Sequence, residues 1–93
     1  MSIFILEDDL YQAQRMQQMV QEVCDKGKIP YNFIEATSRA DEILSKIALC
    51  TYTPIYFLDI EIKQETRKGL EVAREIRKID PHGIIVFVTT HSE

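Results

Sequence analysis

The chain has 93 residues, of which 45% are apolar and 28% charged, with a formal net charge of -4 at pH 7. That suffices for one small domain over residues 1–93 with a single core, and it argues against a disordered chain. The acidic balance argues against nucleic acid or an anionic membrane as the direct partner of this segment, and no apolar run approaches the ~20 residues of a membrane span.

Residues 2–6 form a continuous apolar run, which suits a strand covered on both faces, as in a parallel sheet. Glu7, Asp8 and Asp9 follow it. Leu10, Ala13, Met16, Val20 and Val23 then recur at spacings of three and four, which predicts an amphipathic helix whose Met and Val residues belong to the core. Its end is expected at Lys26-Gly27, with Gly27 as a left-handed cap. Beyond Pro30, residues 31–36 alternate only in part and read as an edge strand.

Thr37 or Ser38 is the expected N-cap of a second helix, with Ala40, Ile43, Leu44, Ile47 and Ala48 on its apolar face. Pro54 breaks the chain before a strand over 55–58, and Asp59 stands at that strand's end. A polar loop runs from Glu61 to Lys68. Gly69 opens a third helix, with Val72, Ala73, Ile76 and Ile79 facing inward. Asp80-Pro81-His82-Gly83 is a turn in which Pro stops the helix and Gly allows positive φ. The last strand covers 84–88 and runs into Thr89-Thr90. Cys24 and Cys50 fall in helix-like stretches and, with no signal peptide, read as reduced, buried thiols of a cytoplasmic protein.

Strands alternating with helices predict an α/β fold with a doubly wound parallel sheet and right-handed crossovers. With the half-alternating strand at an edge, the expected strand order is 2-1-3-4. Asp8, Asp9, Asp59 and Thr89 then gather at the carboxyl ends of strands 1, 3 and 4, where open α/β sheets bind ligands.

That arrangement suits phosphoryl transfer to a carboxylate. Asp59, at the tip of a central strand, is the candidate nucleophile. Bringing phosphate to a carboxylate requires neutralising charge, and Mg²⁺ with oxygen ligands does so. Asp9 and Asp59 are candidate direct ligands, Asp8 a direct or water-mediated one, and the main-chain carbonyl of Glu61 lies within plausible reach. Thr89 can donate to a phosphoryl oxygen, with Thr90 a weaker candidate. Each residue also has an ordinary structural reading. Asp9 is a good helix N-cap, Asp59 a loop or cap residue, and Thr89 a β-branched strand end. His82 and His91 show no metal-ligand spacing. Lys63, Arg67 and Lys68 read as solvated surface that could also draw in a phosphodonor.

Taken together, the runs Phe4-Ile5-Leu6-Glu7-Asp8-Asp9 and Tyr56-Phe57-Leu58-Asp59-Ile60, the segment from Gly69 to Arg77, and the run from Ile84 to Thr89 resemble a response-regulator receiver domain. The resemblance is nearest to the receivers of LytTR-type regulators in Gram-positive peptide-pheromone (quorum-sensing) systems. It implies a flavodoxin-like receiver fold, with Asp59 as phosphoacceptor and Asp8 and Asp9 as the acidic pair for Mg²⁺. Glu61 would lend its main-chain carbonyl and Thr89 would contact the phosphoryl group. The implied partner is a membrane histidine kinase, and in full-length relatives a LytTR DNA-binding domain follows.

A typical receiver continues beyond Glu93 with a fourth helix, a fifth strand that carries a Lys and a switch aromatic, and a fifth helix. On that comparison the fifth strand is missing, and residues 84–88 become an apolar edge that favours a homodimer or higher assembly. Two readings compete with the phosphoacceptor: an interaction module of the same fold that does not switch, and a haloacid-dehalogenase-type enzyme. The second leaves Asp8 and Asp9 unexplained and lacks the downstream acids of that family.

Overall fold

A computed structural model describes residues 1–50, 53–60 and 66–88, with only the backbone of residues 66–68. In chain order the elements are β1 (Ser2–Leu6), α1 (Leu10–Lys26), β2 (Phe33–Thr37), α2 (Ala40–Ile47), β3 (Ile55–Asp59), α3 (Thr66–Ile79) and β4 (Ile84–Val88). The strands form one parallel sheet in the order β2-β1-β3-β4, as the alternation of elements predicts.

The sheet explains why β1 is apolar at every position. Successive side chains leave a strand on opposite faces. Ile3 and Ile5 pack with Met16 and Cys24 of α1, while Phe4 and Leu6 join the core that α2 and α3 close with Ile43, Ile47, Val72, Ala73 and Ile76. Tyr56 and Leu58 of β3 complete that second core. The ring of Phe4 stacks on Tyr56 at 5.6 Å and meets Phe33 edge-on at 5.4 Å. Burial of such side chains stabilises the fold by ~1.5–3 kcal/mol each.

Several local features depart from the sequence reading. In α1, Ala13, Met16 and Cys24 are buried, whereas Leu10, Met19 and Val23 are exposed. The helix thus meets the sheet along a narrower stripe than its apolar content implies. Gly27 ends the helix in a right-handed conformation, and the positive φ falls on Lys28 at 54°. Gly27 donates to Val23 O at 2.9 Å, and Ile29 donates to Cys24 O at 2.8 Å, so the helix end is closed by backbone bonds.

The N-cap of α2 is Arg39, which makes no side-chain cap bond, rather than Thr37 or Ser38. Ala48 is exposed just past the helix, and Cys50 lies beyond it, half-buried, with its thiol on Lys46 O. Helix α3 starts before Gly69, and Ile79 at its end is 50% exposed. Gly83 does not have positive φ. It is required for room, because a Cβ there would lie 2.6 Å from the ring of Tyr56. The preceding Asp80 accepts from the backbone N–H groups of His82 and Gly83, which shapes the turn from the side chain.

Candidate functional site

The carboxyl ends of β1 and β3 lie side by side because those strands pair in parallel register, Leu6 against Leu58. Asp59 is the last residue of β3 and is fully buried. Glu7 follows β1 directly and is 2% exposed, held by donation from its N–H to Thr37 O at 3.0 Å. Asp8 is half-buried. One carboxylate oxygen from each of Glu7, Asp8 and Asp59 lies within 4.8 Å of the others. Three hard oxygen donors this close together, from two buried residues and one half-buried one, fit a small divalent cation such as Mg²⁺.

The site differs from the sequence reading by one residue. Asp8 and Asp59 come together as expected, but their third neighbour is Glu7. The Asp9 carboxylate accepts from the N–H of Gln12 at 3.0 Å and caps α1, and Asp9 is exposed. Its own N–H donates to Glu7 Oε2 at 3.0 Å, which ties the cap back to the buried acid. Glu7 was legible as the first acid after an unbroken apolar strand. The N-cap preference of Asp9 was the second signal, since one carboxylate is poorly placed to cap a helix and face the β3 tip together. Glu61 and Thr89, the other two expected site residues, lie outside the described residues, as do Thr90, Lys63 and His91.

Helix α3 holds the β3 end from the other side. A Cβ on Gly69 would stand 2.7 Å from Asp59 O and 2.8 Å from the Cα of Ile60. The helix therefore meets the strand end backbone to backbone. Ile60 in turn donates to Val88 O at 3.2 Å, so the residue after Asp59 is fixed to β4.

No protein-family model matches the chain. Accessory gene regulator protein A of Staphylococcus epidermidis is 37% identical over 93 residues, all of this chain and 39% of that protein. The same protein of Staphylococcus aureus gives the same identity and coverage. The chain thus spans about two fifths of the length of these curated relatives. Among solved structures, response regulator TrrA of Thermotoga maritima, in complex with Mg²⁺-BeF, superposes with a TM-score of 0.71 at 28% identity. That match covers 98% of this chain and 70% of TrrA. The MaeR response regulator bound to beryllium trifluoride has the same fold, with a TM-score of 0.66 at 18% identity over 99% of this chain and 69% of that one.

Sheet order, acidic rim and relatives together define the class that the chain resembles: it has the architecture of a response-regulator receiver domain. Along its whole length the chain is similar to accessory gene regulator protein A of Staphylococcus.

Proposed function

We propose that this receiver domain accepts a phosphoryl group on Asp59 from the phosphohistidine of a sensor histidine kinase, in a two-component pathway that controls transcription. The observation that carries the reading is the buried Asp59 carboxylate at the end of a central strand, with the carboxylates of Glu7 and Asp8 within 4.8 Å. A carboxylate oxygen of Asp59 attacks phosphorus, the P–N bond breaks, and the electron pair returns to the imidazole nitrogen. An acyl phosphate results, and no other product leaves the domain, so the chain is a phosphoacceptor rather than a turnover enzyme.

Asp59, Asp8 and Glu7 are the side chains that would hold Mg²⁺. When bound, Mg²⁺ offsets the charge of the incoming phosphate against these carboxylates. The family resemblance adds the main-chain carbonyl of Glu61 as a further ligand and the hydroxyl of Thr89 as a donor to the phosphoryl group. Asp9, also an acid of the resembling segment, contributes as the cap that fixes the turn between them. On this reading the domain acts in the cytoplasm; no described helix is long and apolar enough to cross a membrane. DNA would be contacted by a further domain, not by this segment.

Intact mass after incubation with acetyl phosphate and Mg²⁺ tests the reading. One added phosphoryl group in the wild type and none in Asp59→Asn is the expected result. No addition to the wild type would sink it and leave the alternative of a non-switching interaction module.

The observation that favours this second reading is β4, an edge of the described sheet on which Ile84, Val86 and Phe87 are exposed. Among the described residues its outer side pairs with no strand, and that edge with its apolar side chains suits self-assembly. A homodimer or higher assembly is the expected state in light scattering at high concentration. A monomer there would remove the assembly.

A further inference from the structure

The acids at the rim depend on a residue that is not one of them. Thr37, the last residue of β2, lies level with Leu6 in the β1–β2 register. Its carbonyl accepts the N–H of Glu7 at 3.0 Å, beyond the last residue of β1. Its hydroxyl is engaged in both directions. It donates to Glu42 Oε2 of α2 at 2.9 Å and accepts from the N–H of Arg39 at 3.1 Å. A threonine hydroxyl has one donor and two acceptor sites, so the donor and one acceptor are committed here.

We propose that Thr37 is a positioning residue for the acidic site. Its hydroxyl fixes the β2–α2 turn through Glu42 and Arg39, and the fixed turn sets where the Thr37 carbonyl holds the Glu7 backbone. Glu7 is buried and has little room to correct for a shift of its own main chain. A displacement there moves one carboxylate of the three away from the common point, although Thr37 touches neither a cation nor phosphate. Partners bonded directly to ligand side chains commonly alter cation affinity by ten- to a hundredfold, and Thr37, acting through the Glu7 main chain, is expected at the lower end of that range. The inference rests on the cation-site reading above.

The test uses the whole chain with Thr37→Val, which keeps shape and removes the hydroxyl, and Thr37→Ser, which restores it. Mg²⁺ affinity is measured by titration calorimetry, and exchange of the Glu7 amide is followed by NMR without cation. The expected result is affinity about tenfold weaker in Thr37→Val, near wild type in Thr37→Ser, and faster exchange at Glu7 while Ile5 is unchanged. A purely structural role would lower the unfolding temperature and leave the affinity of the folded protein intact, which overturns the proposal. Should Thr37→Val not fold, Glu42→Ala removes the hydroxyl's acceptor and is judged by the same two readouts. A wild-type protein that binds no Mg²⁺ defeats the cation-site reading instead. Exchange at Glu7 then decides alone, faster in support and unchanged against.

Discussion

Gly69 packs its Cα directly against the backbone of Asp59, leaving no space for a side chain between α3 and the end of β3. A methyl group there meets main-chain atoms on both Asp59 and Ile60, and neither can rotate away. Gly69→Ala is therefore expected to cost ~1–3 kcal/mol through overpacking. It should also lower acceptance of phosphate from acetyl phosphate, because the strain is relieved by moving Asp59. Thermal unfolding and intact mass on the same sample check both parts. A variant as stable and as readily labelled as wild type would show that the strand end yields freely.

The acids of the β1–α1 turn divide by role. Glu7→Gln and Asp8→Asn are expected to weaken Mg²⁺ binding by about tenfold or more, with small changes in unfolding temperature. Asp9→Ala should instead cost ~1 kcal/mol by removing the cap of α1, and Asp9→Asn, which can still cap, should restore that stability. Calorimetric titration beside thermal melts separates the two effects. Equal losses of affinity at Asp8 and Asp9 would restore the Asp8–Asp9 pair as the ligand set.

At the far end of β3, the Tyr56 hydroxyl donates to Asp80 Oδ2 at 2.9 Å. Burial, and then the bond to Asp80, pushes the Tyr56 phenol well above its ordinary value. Burial also works to raise the Asp80 carboxyl, but hydrogen bonds from Tyr56, His82 and Gly83 and the charge of Arg77 outweigh it and hold the group below its ordinary value. A depressed carboxyl contributes stability that is complete above its unfolded pKa of about 3.9 and is lost as pH falls through the folded value. A raised phenol contributes stability that is complete below about 10 and is lost as pH rises through the folded value. Tyr56→Phe is thus expected to cost ~1–2 kcal/mol near pH 7. The gap should shrink below about pH 4. Urea melts at pH 7 and pH 3 read it, and a gap independent of pH would show that the lost bond has no charged partner.

Lys46 Nζ meets Glu35 Oε2 at 2.6 Å across α2 and β2, with side chains 41% and 31% exposed. Exposure of that order leaves the pair screened by water. Glu35→Gln should cost less than ~1 kcal/mol, and the difference should fade in about 1 M salt. Melts at two salt concentrations settle it. A larger, salt-independent loss would mean that Glu35 acts through packing.

The sheet was readable because β1 and β3 are apolar where two cores must be filled, and the partial alternation of β2 marked an edge. The helices were read less well at their margins. Val23 fits the apolar period of α1, yet it is 64% exposed among the described residues, and a period cannot report how far the partner surface extends. Glycine was read through φ, whereas Gly69 and Gly83 are needed for closeness to residues distant in sequence. At the site, Asp8 and Asp59 followed from strand ends. Which of the three consecutive acids faces Asp59 depends on the β1 ladder continuing through the Glu7 N–H to Thr37 O, a bond that the sequence does not display.

The stack between Phe4 and Tyr56 has a practical consequence. The chain contains no tryptophan and only four tyrosines, so emission excited in the tyrosine band comes from tyrosine. Among the described tyrosines Tyr56 is the fully buried one, and its hydroxyl donates to the Asp80 carboxylate, a contact expected to quench its emission in the native state. Unfolding frees the ring from both neighbours, so a brighter tyrosine signal is the expected outcome. The domain thus carries its own optical reporter, seated on the same strand as Asp59 and three residues from it.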